Sequence, residues 1–328
     1  MLAYHAIAED AYSDAHFHTL RASKGAYTLG ILWLDSSSYR TEVFTACFDN
    51  PQYKLTRREI IDGVWTVVIL GCLMNAVVDD LADLLDTRIV DTSWPSTDNI
   101  TSAGRYTILD YVQGIEPPAE CRPHLRAPSA MRIKSAAILR QSVRVYRDLR
   151  DGQNLEEAHR MRRVTIWLIR GFRREWDSVL NQDEISDFRN FALTMIFCEF
   201  AELELARPSL KTNPWSRFVC LNAARMIFDL ADSCYAPIGC PAEIIMRSNP
   251  FFVMVLILTC QIITSDALKY YGPGTDVPEV LRQGITILKR ISDTSPSIKT
   301  KLHAFMDAEK RLRRRELEPH VLHQAAML

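Results

Sequence analysis

The stretch that decides the fold class covers residues 250–274 and reads PFFVMVLILTCQIITSDALKYYGPG. Pro250 is a residue typical of a helix start, and the strongly apolar residues 251–263 follow it directly. The Gly-Pro-Gly turn at residues 272–274 ends the segment, because glycine and proline both interrupt a helix. Such a run predicts a helix that is buried on all sides.

The segments on both sides of this run also read as helices. Thr56, Asn154 and Asn181 are each followed three residues later by Glu, which is the spacing of a helical N-cap. The helix that begins at Thr56 is predicted to run to about residue 85. A long irregular connection is predicted at residues 91–127, where prolines are frequent, around one short element near residues 106–112. Further helices are predicted at residues 4–20, from Ser129 onward, and at residues 215–232, 278–292 and 296–317.

These segments predict an all-α fold, a large single helical domain in which helices form an antiparallel bundle-like array. Glycine is scarce, with 12 residues in 328, which argues against a doubly wound α/β enzyme. Within the chain we expect an N-terminal helical part with the irregular connection at residues 1–127 and a helical core at residues 128–317. Residues 318–328 are predicted to be a frayed tail.

Composition excludes several classes of protein. The 39 Lys and Arg residues balance 40 Asp and Glu residues, so the whole chain has no bulk electrostatic attraction for nucleic acid or an anionic membrane. None of the 8 cysteines stands in a Cys-x-x-Cys pair, which excludes zinc ribbons and predicts buried free thiols. The N-terminus does not resemble a signal peptide. The apolar residues 64–78 and 251–263 fall short of the roughly 20 residues of a membrane span, so we expect a soluble protein without a membrane partner.

The sequence Asp79-Asp80-Leu-Ala-Asp83 carries the strongest indication of an enzyme. Residues i and i+4 of a helix share a face, so Asp79 and Asp83 would together hold Mg²⁺ against a diphosphate. The segment resembles the DDxxD motif of all-helical terpene synthases and prenyltransferases, which implies a Mg²⁺-dependent enzyme using Asp79, Asp80 and Asp83.

The second metal motif of those enzymes is incomplete in this chain. Its nearest counterpart begins at Asp229 and Ser233, but Pro237 stands at the third ligand position and cannot coordinate a metal. The opposing interpretation is that the three aspartates form the solvated end of a core helix. We predict no catalytic residue, no metal ligand and no cofactor, and keep the enzyme as the first alternative.

Residues 184–317 carry a second resemblance. An amphipathic helix ends at Arg207-Pro208, Cys220-Leu-Asn-Ala-Ala-Arg225 follows in the next helix, and Pro250-Phe251-Phe252 opens the apolar helix. This order resembles the C-terminal half of the fungal-specific transcription factor regulatory domain, the middle homology region of binuclear zinc-cluster regulators. Trp176 matches a tryptophan that commonly precedes the leucine-rich helix of that family. Pro208 ends a helix, the two alanines before Arg225 allow a neighbouring helix to come close, and Arg225 can reach a carboxylate.

The resemblance implies a non-catalytic transcription regulator or co-regulator, located in the nucleus, with the cytoplasm as the alternative. It also implies protein partners in the transcription machinery and a small-molecule effector. Two positions depart from the family pattern, since Ala206 stands where His is usual and Ser209 where Phe is usual. The six-cysteine zinc cluster is missing from this sequence, so direct DNA contact by the usual route of the family is not expected.

Two basic segments complete the candidate sites. The run Lys310-Arg311-Leu-Arg313-Arg314-Arg315 reads either as a nuclear-import signal or as a helix end whose positive charges complement the helix dipole. The arginine-rich helices at residues 132–174 support the second alternative function, a helical nucleic-acid-binding or nucleocapsid-like protein. In that interpretation Arg140, Arg144 and Arg147 form one continuous basic face.

Overall fold

The structure is a computed structural model that describes residues 6, 12–28, 32, 57–77, 90, 94, 106–180, 188–235, 250–271, 275–292 and 296–325. Helices account for 88% of the described residues, and none of these residues lies in a strand. The prediction of an all-α fold of packed helices is therefore confirmed. The helices are α1 Tyr12–Thr28, α2 Arg57–Val77, α3 Ile108–Gln113, α4 Pro128–Asp151, α5 Leu155–Leu180, α6 Phe188–Ala206, α7 Pro214–Tyr235, α8 Pro250–Tyr270, α9 Val277–Ile291 and α10 Pro296–Ala325.

The described helices fall into two compact units. One contains Tyr12–Ala201 and the other Glu202–Leu328, so the boundary lies within α6. The division into residues 1–127, 128–317 and 318–328 that we expect from the sequence stays a prediction.

Helix α4 is the centre of the first unit. It packs against α2, α3 and α5, and it buries Met131, Ile138 and Leu139 almost completely. The connection from α4 to α5 at residues 152–154 is so short that the two packed helices must run in opposite directions. Gly152 ends α4 in the left-handed conformation, with φ of 69°.

The short element predicted near residues 106–112 is α3, which has helical caps at both ends. The side chains of Thr107 and Asp110 each accept a hydrogen bond from the other residue's backbone amide, at 3.1 and 2.8 Å, which completes a capping box. Gly114 ends the helix with φ of 76°. A short 3₁₀ helix, His124–Arg126, then leads into α4.

Helix α9 is the centre of the second unit. It packs against α7, α8 and α10, and its residues Leu281 and Leu288 are completely buried. As the sequence predicts, α8 begins at Pro250, and α6 ends at Ala206, where a 3₁₀ turn at Arg207–Ser209 replaces the helix. Pro208 has no amide to continue the α-helical hydrogen bonds, which explains the change.

Two helix ends and the conformation of one cap residue differ from the prediction, although α5 begins at Leu155 directly after the predicted cap Asn154. Helix α1 runs to Thr28 and not to residue 20, because its buried side has small residues that the apolar pattern did not reveal. Asn154 does not adopt the extended conformation of an N-cap: its φ is 45°, a left-handed value that Asn tolerates better than most residues. Helix α10 continues beyond Leu317 to Ala325, through residues that include good helix formers. The small buried residues of α1 are Ala15, Thr19, Ser23 and Ala26.

The apolar stretch of α2 is longer than residues 64–78, on which the prediction about membrane spans is based. Among the described residues, the stretch Glu59–Ala76 is long and apolar enough to cross a membrane by length and composition. However, 61% of that stretch is buried inside the protein. This burial is what the core helix of a soluble protein shows.

Candidate functional site

The aspartates of the DDxxD-like segment, Asp79, Asp80 and Asp83, lie outside the described residues. Helix α2 is described up to Val77, two residues before Asp79. Across the part of the chain that the structure describes, no three His, Cys, Asp or Glu side chains are placed to hold a metal ion. The metal site proposed for these aspartates is therefore an expectation that the structure leaves open.

The residues considered for a second metal motif bind neighbouring protein groups. Asp229 accepts a hydrogen bond from Gln283 of α9 at 2.5 Å, and Asp232 forms an ion pair with Arg290 at 2.6 Å. Ser233 donates to the backbone oxygen of Asp229 at 2.8 Å. The contacts of Asp229 and Asp232 join α7 to α9, and the contact of Ser233 lies within α7, so all three polar side chains have structural partners.

The basic run lies on the solvent side of α10, where acidic side chains partly neutralise it. Lys310 is 3.8 Å from Asp307, and Arg313 is 2.5 Å from Glu309. Arg311 donates to the backbone oxygen of Asp307 at 3.3 Å. Leu312, which lies between Arg311 and Arg313 in the sequence, is buried. Arg314 is exposed, and the side chain of Arg315 is outside the described part of the chain. The run is thus accessible to a partner.

A buried polar cluster in the second unit contains residues from two motifs of the regulatory-domain resemblance, the Arg207-Pro208 helix end and the segment that begins at Cys220. The Arg207 guanidinium contacts both carboxylate oxygens of Glu204, at 3.2 and 3.0 Å. Its Nε atom lies 3.7 Å from Oδ2 of Asp266 on α8. One guanidinium therefore serves two carboxylates, and the side chains of Glu204 and Asp266 are only 7% and 13% exposed. The thiol of Cys220 on α7 is hydrogen-bonded with Tyr271 and is affected by the charges of Asp266, Glu204 and Arg207, so we name the five residues together the Arg207 cluster.

Tyr271 and Arg217 connect this cluster to the start of α7. The Tyr271 hydroxyl donates to the backbone oxygen of Arg217 at 3.0 Å. The Arg217 side chain donates to the backbone oxygens of Leu210 and Lys211, at 2.7 and 3.1 Å. These carbonyl oxygens follow the 3₁₀ turn at Arg207–Ser209 and do not accept hydrogen bonds within a helix. The Arg217 side chain supplies the hydrogen bonds that they would otherwise lack.

The electrostatics of the cluster are those of a packed interior. Burial raises the pKa of Asp266 above its ordinary value, and the positive charges of Arg207 and Lys269 only partly oppose that rise. Burial also raises the pKa of the Cys220 thiol to about 12. A thiol with that pKa stays protonated at neutral pH and is a poor nucleophile. The cluster can therefore hold helices together, but Cys220 is not activated for covalent catalysis.

The two alanines of the Cys-x-x-Ala-Ala-Arg segment lie where helices pack closely, as the sequence predicts. Ala223 and Ala224 are completely buried on α7, which packs against α8 and α9. Arg225 points outward and contacts Asp276, at 3.0 Å. This ion pair is largely exposed, so it contributes little to stability.

A buried lysine in the first unit was not apparent from the sequence. Lys134 of α4 is 2% exposed, and its ammonium contacts Glu175 of α5 at 2.5 Å and faces the Tyr111 ring at 5.5 Å. Burial lowers the pKa of Lys134, although the negative charge of Glu175 opposes the effect. Glu175 lies 41 residues along the chain, and only the pairing of α4 with α5 brings it close.

Of the three arginines predicted to form a continuous basic face, Arg144 and Arg147 contact neighbouring protein groups and Arg140 is half-buried, while the nucleic-acid interpretation itself stays a prediction. Arg147 donates to the backbone oxygen of Asn75, at 2.9 Å, in the last turn of α2. Arg150 binds Asp151, and Arg144 lies 4.0 Å from Asp148. Arg147 therefore contacts α2, and Arg144 and Arg150 contact carboxylates on their own helix.

The chain matches no protein-family model, no curated protein and no solved structure. The resemblance to the regulatory domain of fungal zinc-cluster regulators therefore rests on the short motifs within residues 184–317. The resemblance to terpene synthases and prenyltransferases likewise rests on Asp79, Asp80 and Asp83.

Proposed function

We propose that this chain is a non-catalytic regulator or co-regulator of transcription whose helical core resembles the regulatory domain of fungal zinc-cluster regulators. In this account the patterned residues at 184–317 hold helices together. The regulatory response passes through protein partners in the transcription machinery and is set by a small molecule or by one of those partners. The nucleus is the proposed location.

The observation that carries this proposal is that Asp266 lies 3.7 Å from Arg207 and that the charges of Asp266, Glu204 and Arg207 all act on the thiol of Cys220. Arg207 and Cys220 belong to separate motifs of the resemblance, and they lie in one buried cluster together with Asp266 and Tyr271. A regulatory domain needs its motif residues for the packing of helices, so this placement is what the proposal expects. In this account the Arg-Pro helix end and the Cys-x-x-Ala-Ala-Arg segment both contribute residues to the same packed cluster.

The chemistry of the same cluster supports a non-catalytic role. The Cys220 thiol stays protonated, and Glu204 and Asp266 both face the Arg207 guanidinium. Acid–base catalysis needs a titrating group that a substrate can reach, whereas both carboxylates here are buried among protein groups.

The exposed basic run on α10 supports the nuclear location. We expect a fluorescent fusion of the chain to accumulate in the nucleus of its source organism. Replacing the run by Lys310→Ala, Arg311→Ala, Arg313→Ala, Arg314→Ala and Arg315→Ala should leave the fusion in the cytoplasm. A control variant removes two basic charges from an exposed part of α9 by Arg282→Ala and Arg290→Ala, and this variant should still enter the nucleus.

Transcript profiling after deletion of the gene tests the function itself. A regulator predicts that a defined set of transcripts changes soon after the protein is depleted. The purified chain should release no diphosphate from a prenyl diphosphate in the presence of Mg²⁺. Diphosphate release that Asp79→Ala abolishes, with an unchanged transcript profile, would overturn the proposal and establish the enzyme alternative.

A further inference from the structure

One solvent face of helix α5 carries four arginines around a single tryptophan. The spacing of three or four residues between successive members places them on one side of the helix. All five side chains are exposed to solvent. The members are Arg160, Arg163, Trp167, Arg170 and Arg174, and we name this surface the α5 arginine face.

Most of the positive charge on this face is unpaired. Arg160 forms a bidentate pair with Glu157, but Arg163, Arg170 and Arg174 have no ion-pair partner within the described part of the chain. Helix α4 differs in part, because its Arg144, Arg147 and Arg150 contact backbone or carboxylate groups of the chain. Three unpaired guanidinium groups along one row form a site for carboxylates or phosphates.

Trp167 provides an apolar centre to the same row. Its side chain is 47% exposed, and the ring passes close to Gly114, where an added Cβ would lie 3.6 Å from the tryptophan ring. Gly171 follows one turn later, and a Cβ at that position would meet nothing within 4 Å. A glycine inside a helix costs about 1 kcal/mol relative to alanine, and no neighbour requires one here. The missing side chain at Gly171 therefore leaves a small notch in the helix surface beside an exposed aromatic ring.

We propose that the α5 arginine face docks an acidic amphipathic helix of a partner protein. The partner would place an apolar side chain on Trp167, in the notch at Gly171, and carboxylates on Arg163, Arg170 and Arg174. Aromatic and arginine side chains are the residues that most often dominate protein interfaces. This inference goes beyond the proposed function and does not depend on it, since it uses only the geometry and charge of α5.

The ends of the face favour a short peptide over a polynucleotide. Glu156 is exposed at its beginning and Asp177 at its end, and the pair of Glu157 with Arg160 neutralises the first arginine of the row, so acidic side chains bound the row on both sides. From Arg160 to Arg174 the helix rises about 21 Å, which is the length of a partner helix of about four turns. A nucleic-acid strand that extended past either end would meet these carboxylates, whereas an acidic helix of this length would not.

Fluorescence anisotropy with three labelled probes tests the proposal. The first probe is a sixteen-residue helical peptide with Leu on one face and Glu beside it. The second is the same composition in scrambled order, and the third is a sixteen-nucleotide oligo(dT). We expect the amphipathic peptide to bind the full-length chain more tightly than the other two probes. Raising the salt concentration should weaken its binding without abolishing it, because Trp167 contributes apolar contact.

Variants with matched charge locate the binding. The triple variant Arg163→Ala, Arg170→Ala and Arg174→Ala should weaken peptide binding at least about tenfold, and Trp167→Ala should do so on its own. The control triple variant Arg122→Ala, Arg132→Ala and Arg144→Ala removes the same charge from exposed positions of the same unit. It should change binding less than about twofold.

Three outcomes would overturn the proposal. The first is no binding of the amphipathic peptide to the intact chain. The second is an equal loss of binding in the two triple variants, which would indicate diffuse electrostatic attraction. The third is tighter binding of oligo(dT), lost in the α5 variant, which would make the face a nucleic-acid surface. Circular dichroism should show the same helical content in both triple variants, because all six arginines are exposed.

Discussion

Gly284 of α9 lies directly against Phe228 of α7. A Cβ at Gly284 would be 2.5 Å from Cζ of Phe228 and 2.7 Å from the sulfur of Cys260 on α8. No real Cβ approaches other atoms so closely, so the missing side chain allows three helices to meet. Phe228 and Cys260 are both completely buried, which leaves them little room to move.

Gly284→Ala should therefore destabilise the chain even though alanine is the better helix former. Overpacking of a filled core typically costs about 1–3 kcal/mol, which exceeds the gain of about 1 kcal/mol in helix propensity. The matched control is Gly63→Ala, since a Cβ at Gly63 meets nothing within 4 Å and the residue lies within helix α2. Urea unfolding should give opposite signs for the two variants. Equal stabilisation by both would contradict the close approach at Gly284.

Lys134 and Glu175 should respond unequally to removal of their partners. Glu175→Ala leaves an ammonium that is 2% exposed, and an unpaired buried charge costs about 3–5 kcal/mol. Lys134→Met leaves a carboxylate that is 34% exposed and that water can reach, while methionine keeps most of the packing volume. We expect Lys134→Met to cost less than about 1.5 kcal/mol in thermal or chemical unfolding. A larger loss for Lys134→Met than for Glu175→Ala would contradict the description of this pair.

The stability difference between wild type and Asp266→Asn should depend on pH. Burial raises the pKa of Asp266 above its ordinary value of 3.8, so the folded state binds its proton more tightly than the unfolded state does. In the pH window that starts near 3.8, the folded state therefore binds more protons at this residue than the unfolded state does. The contribution of Asp266 to stability falls as pH rises through that window.

Asparagine removes this titration, so Asp266→Asn should gain stability relative to wild type as pH increases from 4 toward neutral values. Denaturant unfolding of both proteins across this range measures the difference directly. Asp276→Asn is the control, because Asp276 is largely exposed beside Arg225. A difference between Asp266→Asn and wild type that shrinks with rising pH would mean that attraction to Arg207 outweighs burial.

The thiols of Cys220 and Cys260 should resist alkylation in the native protein. Both side chains are completely buried, and burial raises the pKa of each thiol. Iodoacetamide reacts with the thiolate, so we expect modification only after global unfolding. Mass spectrometry of the two peptides, with and without guanidinium, measures the protection. Labelling of the native chain at the rate of a free cysteine would contradict their burial.

Local signals predicted the fold class and many helix ends. Pro250 begins α8 and Pro208 ends α6, because proline acts on its own backbone regardless of tertiary context. The burial of Ala223 and Ala224 followed from the same kind of local pattern. The C-terminal end of helix α1 was predicted too early, because the buried residues of this helix are small or polar and look the same as exposed residues in a sequence.

Contacts between distant segments could not be predicted in this way. The Lys134–Glu175 pair spans 41 residues, and the approach of Gly284 to Phe228 depends on how α7 and α9 pack. Arg207 and Cys220 were both singled out from the sequence, but nothing local indicates that Asp266 and Tyr271 complete their cluster. Asn154 shows the opposite error, since a residue type common at N-caps here occupies a left-handed turn position.

Complementation with an altered aspartate segment tests the central claim most directly. The gene is deleted in the source organism, and the strain receives either the wild-type chain or the variant Asp79→Asn, Asp80→Asn and Asp83→Asn at equal protein level. A non-catalytic regulator whose patterned residues serve architecture predicts that both chains restore the same transcript profile. A stable variant that fails to restore the profile, while the wild type succeeds, would contradict the account and assign the function to these carboxylates.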